Sequence, residues 1–208
     1  MDGLALLVKG GFVMIPLFLC SLVTVAIFCE RVVVYGRCHT DVARLRTTLV
    51  PAVRSRNWGA VSKECEQAGG NAAALIREAL GEDKDPAYQE KFLETRGQAM
   101  ATDLQRNVNY LSTIVTLAPL LGLLGTIVGM MRSFQGIAAT NGQPLAVTGG
   151  IGEALIATAT GLCVAMLALL CHTYLMQRQE KLLAESEELG SLYVLALTAR
   201  RDGEIHAA

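Results

Sequence analysis

The sequence predicts an all-α membrane protein with three transmembrane helices, and three observations carry that prediction. Three stretches are long enough and uncharged enough to cross a bilayer. The chain is 52% hydrophobic and only 18% charged, with mean hydropathy +0.39, on the membrane side of ordinary soluble composition. The polar stretches between and after the spans repeat their apolar residues at helical spacing. The second and third spans (TM2 and TM3) are expected to extend as long helices into a helical cytoplasmic domain.

Residues 1–9 form a short N-terminal segment. Gly10 to Cys29 then runs for 20 residues without a charge. At a rise of about 1.5 Å per residue that length crosses a hydrocarbon core of about 30 Å. The run is longer than the apolar part of a signal peptide, and Phe28-Cys29-Glu30-Arg31 is not a small-residue cleavage site, so residues 10–30 read as the first transmembrane helix, TM1. Pro16 is expected to bend it.

Residues 31–106 are polar and hold 12 of the 18 Lys and Arg residues. Val42, Leu45 and Leu49, and then Ala73, Ile76 and Leu80, recur at helical spacing. Pro51, Gly69-Gly70 and Gly81 punctuate the segment into short helices. Asp85-Pro86 has the form of an N-cap followed by a first helical position. Beyond it Gly97 is the only breaker, so one rod is expected from about residue 86 to 134.

The 25 residues between Arg106 and Arg132 are uncharged, which places TM2 at 107–133. Gly125 and Gly129 form a G-x-x-x-G pair, with Gly122 three residues before it. In lipid such small residues let helix backbones approach closely. No Lys-Ser/Thr and no strand accompany these glycines, which removes a phosphate-loop reading. Pro119 is expected to kink the span. Residues 134–150 read as a short loop rich in Gly, Pro and Asn, 151–175 as TM3, and 176–208 as a helical extension and tail. The extension sets Leu182, Leu183, Leu189, Leu192 and Leu195 on a background of Glu and Lys.

Residues 31–106 and the tail after TM3 together hold 16 of the 18 Lys and Arg residues, against Lys9 and Arg132 elsewhere. The positive-inside bias therefore puts the middle segment and the C-terminus in the cytoplasm and the N-terminus and the 134–150 loop outside. A net charge of −1 and a pI near 6.3 give no basic excess for nucleic acid. The six cysteines include no CxxC pair, so neither a metal site nor a redox motif is indicated, and no cofactor is expected. No Ser-His-Asp arrangement and no paired carboxylates point to an enzyme.

One carboxylate stands out. Among the 45 residues between Arg132 and Arg178, Glu153 is the only Asp, Glu, Lys or Arg. A charge inside such a segment costs about 2.5–3.5 kcal/mol on insertion scales, so it marks a paired or functional group. Two readings stand open. Glu153 lines an ion path or satisfies a buried partner, or it sits at headgroup level, hydrated or paired with Arg132. On TM3, Glu153, Ala157, Thr160 and Val164 share one helical face, and Ala154, Thr158, Gly161, Ala165 and Ala168 form a second, small-residue stripe. Either stripe is able to face a pore. The hydroxyls of Thr126, Thr158 and Thr160 either line it or bond carbonyls of their own helix. His172, near Arg178, reads as interfacial.

TM2 carries APLLGLLGTIVGMMRSF over 118–134 and TM3 carries GEALIATATGL over 152–162. With three spans and a helical cytoplasmic segment, this resembles the ExbB/TolQ/MotA proton-channel family, and most closely its ExbB and TolQ branch. The likeness covers nearly the whole chain in layout and is specific in those two motifs. It implies a bacterial inner-membrane homo-oligomer, a pentamer, around two copies of a single-span ExbD/TolR-like partner. The partner's membrane Asp carries the proton, and a TonB/TolA-like protein is a further implied contact. Proton flow is then coupled to motion of the partner and to work on the envelope. The family's pore threonines map onto Thr126 and Thr158 and its TM3 glutamate onto Glu153. Thr160 joins them as a candidate lining residue, while Gly122, Gly125, Gly129, Gly161 and Pro119 are assigned to helix packing. Three spans depart from the four of the flagellar stator branch. The alternative is a non-conducting three-helix membrane scaffold that assembles a single-span partner. An intramembrane hydrolase would need a second catalytic group that the spans lack.

Overall fold

The computed structural model describes residues 11–139 and 144–207, with side-chain surroundings for 11–135 and 149–201. The described chain is helical, as expected: α1 (Met14–Cys38), α2 (Val42–Arg54), α3 (Trp58–Ala68), α4 (Gly70–Ala79), α5 (Pro86–Gln105), α6 (Val108–Ala139) and α7 (Pro144–Ala207). Stretches long and apolar enough to cross a membrane lie on α1, α6 and α7. Tertiary contacts divide the chain into two units. One holds the residues up to Glu30 together with Asn107–Leu175, and the other holds Arg31–Arg106 and the chain from Met176 onward.

In the first unit, Val13, Met14 and Leu17 beside the start of α1 pack with Ile114 and Ala118 of α6 and with Val164, Ala165 and Ala168 of α7. Around that core, Phe18, Leu22, Leu120, Leu123, Leu155, Leu162 and Leu170 are exposed. So much contiguous apolar surface is a liability in water and suits contact with lipid. Pro16 does not act as expected. The helix begins at Met14, so Pro16 falls in the first turn, where a backbone N–H has no intrahelical acceptor to lose. Pro119 does lie inside α6, where it leaves the carbonyl four residues earlier without its helical donor.

Two further differences concern where helices stop. The rod expected over 86–134 is two helices, α5 ending at Gln105 and α6 starting at Val108. Asn is a modest helix former that competes for local hydrogen bonds. Here the Asn107 side chain donates to both oxygens of Glu30 on α1, at 3.1 and 2.9 Å, which gives the amide a better use outside the helix. The expected 134–150 loop is also narrower than its composition suggests. Helix α6 continues to Ala139 and α7 begins at Pro144, a residue suited to a helix start. What remains of that loop, and the 1–9 segment, lie outside the described residues.

The second unit is a bundle whose side chains converge from short helices. Leu45, Leu49 and Val53 on α2 meet Val61 and Cys65 on α3, Ala73 and Ile76 on α4, Leu93 on α5, and Leu189, Tyr193 and Leu197 on α7. Side-chain caps fix the helix starts. Asp41 accepts from the Arg44 N–H at 3.2 Å, Asn57 from Ala60 at 3.1 Å and Asp85 from Tyr88 at 3.3 Å. Gly69, before α4, has no side chain to offer; Thr40 supplies the acceptor instead, 3.2 Å from the Ala72 N–H. Pro51 sits inside α2 and the break follows it, at Ser55–Asn57, with Arg56 at φ 55°. The Lys84 ammonium and the Arg200 guanidinium lie over the Trp58 ring, 5.6 and 5.5 Å from its centre.

Candidate functional site

The site is built where α6 and α7 lie backbone to backbone. A Cβ on Gly122 would come within 3.2 Å of the Ala157 carbonyl oxygen, and one on Gly129 within 2.8 Å of the Gly150 carbonyl. One on Gly125 would fall 2.5 Å from Ala157 Cβ. At these three positions the helices come closer than an added side chain would allow, and in lipid small residues permit such an approach.

That approach brings a hydroxyl of TM3 to the backbone of TM2. Thr158 Oγ1 donates to the Gly122 carbonyl at 3.2 Å, while also lying 3.2 Å from the carbonyl of Ala154 in its own helix. Gly122 is one helical turn before Thr126 on the same face of α6. The Thr126 hydroxyl donates to the Leu123 carbonyl at 2.6 Å and the Thr160 hydroxyl to Ile156 at 2.8 Å, each within its own helix. The structure thus joins Thr158 to the helix that carries Thr126 and leaves Thr160 on a different bond. The two stripes read on TM3 do not separate into an inner and an outer face. Ala154, Ala157, Gly161, Val164, Ala165 and Ala168, drawn from both stripes, are buried together.

Glu153 has found a partner inside the chain. Arg132 Nη1 on α6 lies 2.7 Å from Glu153 Oε1 on α7, and the Glu153 side chain keeps only 21% of its surface exposed. The backbone of Gly11, just before α1, lies so close that a Cβ there would overlap the Glu153 carboxylate. Sequence reasoning named the Arg132 pairing as one of two possibilities but gave no signal for Gly11, which is far away along the chain and carries no chemistry of its own. Toward the other end of the spans, the rings of Phe28 and Tyr174 pack at 5.8 Å.

A family model described as the MotA/TolQ/ExbB proton channel family matches residues 67–188, which take in both the TM2 and the TM3 motifs. The chain belongs to that family. As a MotA/TolQ/ExbB family member it is a multi-pass membrane protein of a transport family, not an enzyme. It is 39% identical over 165 residues to the biopolymer transport protein ExbB-like 3 of Synechocystis sp., covering 77% of this chain and 79% of that one. It is 36% identical over 173 residues to the biopolymer transport protein ExbB of Salmonella typhimurium, covering 77% and 70%. The Tol-Pal system protein TolQ of Pseudomonas aeruginosa is 35% identical over 121 residues, 56% of this chain and 52% of that protein.

Proposed function

We propose that this chain is the proton-channel subunit of an ExbB–ExbD or TolQ–TolR type inner-membrane complex that turns the proton-motive force into mechanical work on the cell envelope. The observation that carries this reading is the bond from Thr158 on TM3 to the Gly122 carbonyl on TM2, one turn from Thr126. It supports a hydroxyl-lined track between the two spans, at the positions where the family motifs carry their pore threonines. A hydroxyl both donates and accepts, so Thr126, Thr158 and Thr160 are suited to pass a proton or a water wire without holding charge. Glu153 supplies the carboxylate at the loop end of that track. No other acid lies between Val108 and Leu175, so the titrating group belongs to another chain.

The partner is a single-span ExbD/TolR-like protein with a membrane Asp, two copies within a pentamer of this chain, and a TonB/TolA-like protein receives the motion. The N-terminus lies in the periplasm and the C-terminus in the cytoplasm. One elementary charge moved through about 100 mV releases about 2.3 kcal/mol, so useful work requires many cycles. The process energised is TonB-dependent-type import or Tol-type envelope maintenance.

The scaffold alternative draws support from the glycine contacts, which serve assembly whether or not protons flow. The test is proton uptake by vesicles containing this chain co-purified with an ExbD/TolR-type partner. Thr126→Val and Thr158→Val are expected to abolish uptake with the complex intact. Unchanged uptake in both would leave the scaffold.

A further inference from the structure

Arg132 is the only Lys or Arg among the described residues of the membrane unit, and its one ion-pair partner there is the only acid in TM3. That pairing places Glu153 in a position with little freedom. Its carboxylate has Arg132 Nη1 at 2.7 Å on one side and the Gly11 backbone against it on another, so it touches the ends of all three spans. Thr158, by contrast, lies about 140° round the helix from Glu153, and its hydroxyl turns to Gly122. The carboxylate is therefore held against the chain's own helix ends, at the loop end of the hydroxyl track and apart from the Thr158–Gly122 bond. Removing Arg132 leaves a carboxylate that keeps only 21% of its surface exposed without its counter-charge, and removing Glu153 releases the more exposed Arg132 from the one contact that ties it to TM3.

We infer that Arg132 is the positioning residue for Glu153, and that the pair is a fixed-charge staple joining the ends of TM1, TM2 and TM3, with Gly11 as its floor. Glu153 then serves through its partnership with Arg132 and does not itself carry the proton. This rests on the proton-channel reading above, and it assigns to Arg132 and Gly11 roles in that channel.

The experiment measures proton uptake per assembled complex, in vesicles containing the chain with its single-span partner. Glu153→Ala and Arg132→Ala are each expected to lower uptake about tenfold or more, Arg132→Ala because it leaves a largely covered carboxylate unpaired and Glu153→Ala because it unties TM3 from TM2. Arg132→Lys should retain most of the uptake. The exchanged double variant, Arg132→Glu with Glu153→Arg, should recover at least about a third of the parental rate, because the pair is restored while the carboxylate has left TM3. Gly11→Val should lower uptake with both charges in place, since its side chain would occupy the carboxylate's position. Where a single variant fails to assemble, recovery of assembly by the exchange supports the staple, and failure to recover overturns it. An exchange as inactive as the single variants, in normally assembled complex, overturns the inference and makes Glu153 a proton carrier. Full uptake in both single variants overturns it too. Thr158→Val in the same vesicles tests the channel reading separately: retained uptake there sinks that reading whatever the exchange does.

Discussion

A side-chain carbon on Gly161 would lie 2.7 Å from the carbonyl oxygen of Ala118 and 3.0 Å from the Cα of Gly122. Both neighbours are backbone, which cannot swing aside as the tip of a long side chain can. Gly161→Leu is therefore expected to force α6 and α7 apart and to destabilise the membrane unit by about 1–3 kcal/mol, the usual scale of overpacking. Thermal unfolding and gel filtration in detergent would register this as a lower melting temperature and a loss of the monodisperse peak. Leu162→Ala, one residue away but on the exposed face, is the control and should leave both unchanged.

Thr158→Val separates chemistry from shape. Valine keeps the branched outline and removes only the donor to Gly122 and Ala154. Hydrogen bonds between membrane helices average about 0.6 kcal/mol, so the melting temperature should hardly move. Proton uptake should collapse. A variant that melts far earlier and conducts normally would assign the hydroxyl to packing instead.

The spans were legible in the sequence because exclusion of charge is written residue by residue, and so was much of the second unit's core. Leu45, Leu49, Ala73 and Ile76 are buried as their helical spacing suggests, and Asp85-Pro86 opens a helix. What escaped the sequence depends on partners distant along the chain. Asn107 interrupts α5 and α6 because Glu30 is there to receive its amide. Periodicity placed Thr158 on a face but could not say that Gly122 would be opposite it. The effect of Pro16 turns on where the first helical residue falls, and composition does not mark Met14 as that residue. The contact of Gly11 with Glu153 had no local signature at all, since a glycine's value there lies in what it lacks.

Asp85 holds two contacts that substitution can separate. It caps α5 by accepting from the Tyr88 N–H at 3.3 Å, and it pairs with Arg201 at 2.9 Å on an exposed surface. Asp85→Ala should cost about 1 kcal/mol, mainly through the cap. Asp85→Asn keeps an N-cap acceptor and loses only the surface pair, whose contribution is about 0–1 kcal/mol. Chemical unfolding of the full chain should rank parent and Asn close together and Ala clearly below. An Asn variant as weak as Ala would shift the weight to Arg201.

The core of the second unit sets its stability in alkali. Cys65 and Tyr193 are buried, at 3% and 0% exposure, and burial pushes the thiol from 9.0 up to about 11 and the phenol from 10.0 up to about 12. Arg77 and Arg200 oppose those rises without cancelling them. In the unfolded chain both groups return to ordinary values and release their protons first as pH rises. The folded state thus binds more protons above pH 9, and stability must fall with pH in that range. The contribution is fully present below pH 9 for Cys65 and below pH 10 for Tyr193, and is lost as pH climbs through 11 and 12. Each group accounts for about 2–3 kcal/mol across its window. Melting temperature measured against pH should therefore be flat near neutrality and drop steeply in alkali. Tyr193→Phe keeps the ring in the core and removes the ionisable hydroxyl, so its curve should fall more gently above pH 10. A Phe variant whose alkaline limb overlays the parent's would mean that the transition is set elsewhere in the molecule. Maleimide labelling gives an independent check, because the protonated, enclosed Cys65 should stay unmodified at neutral pH until the chain is unfolded.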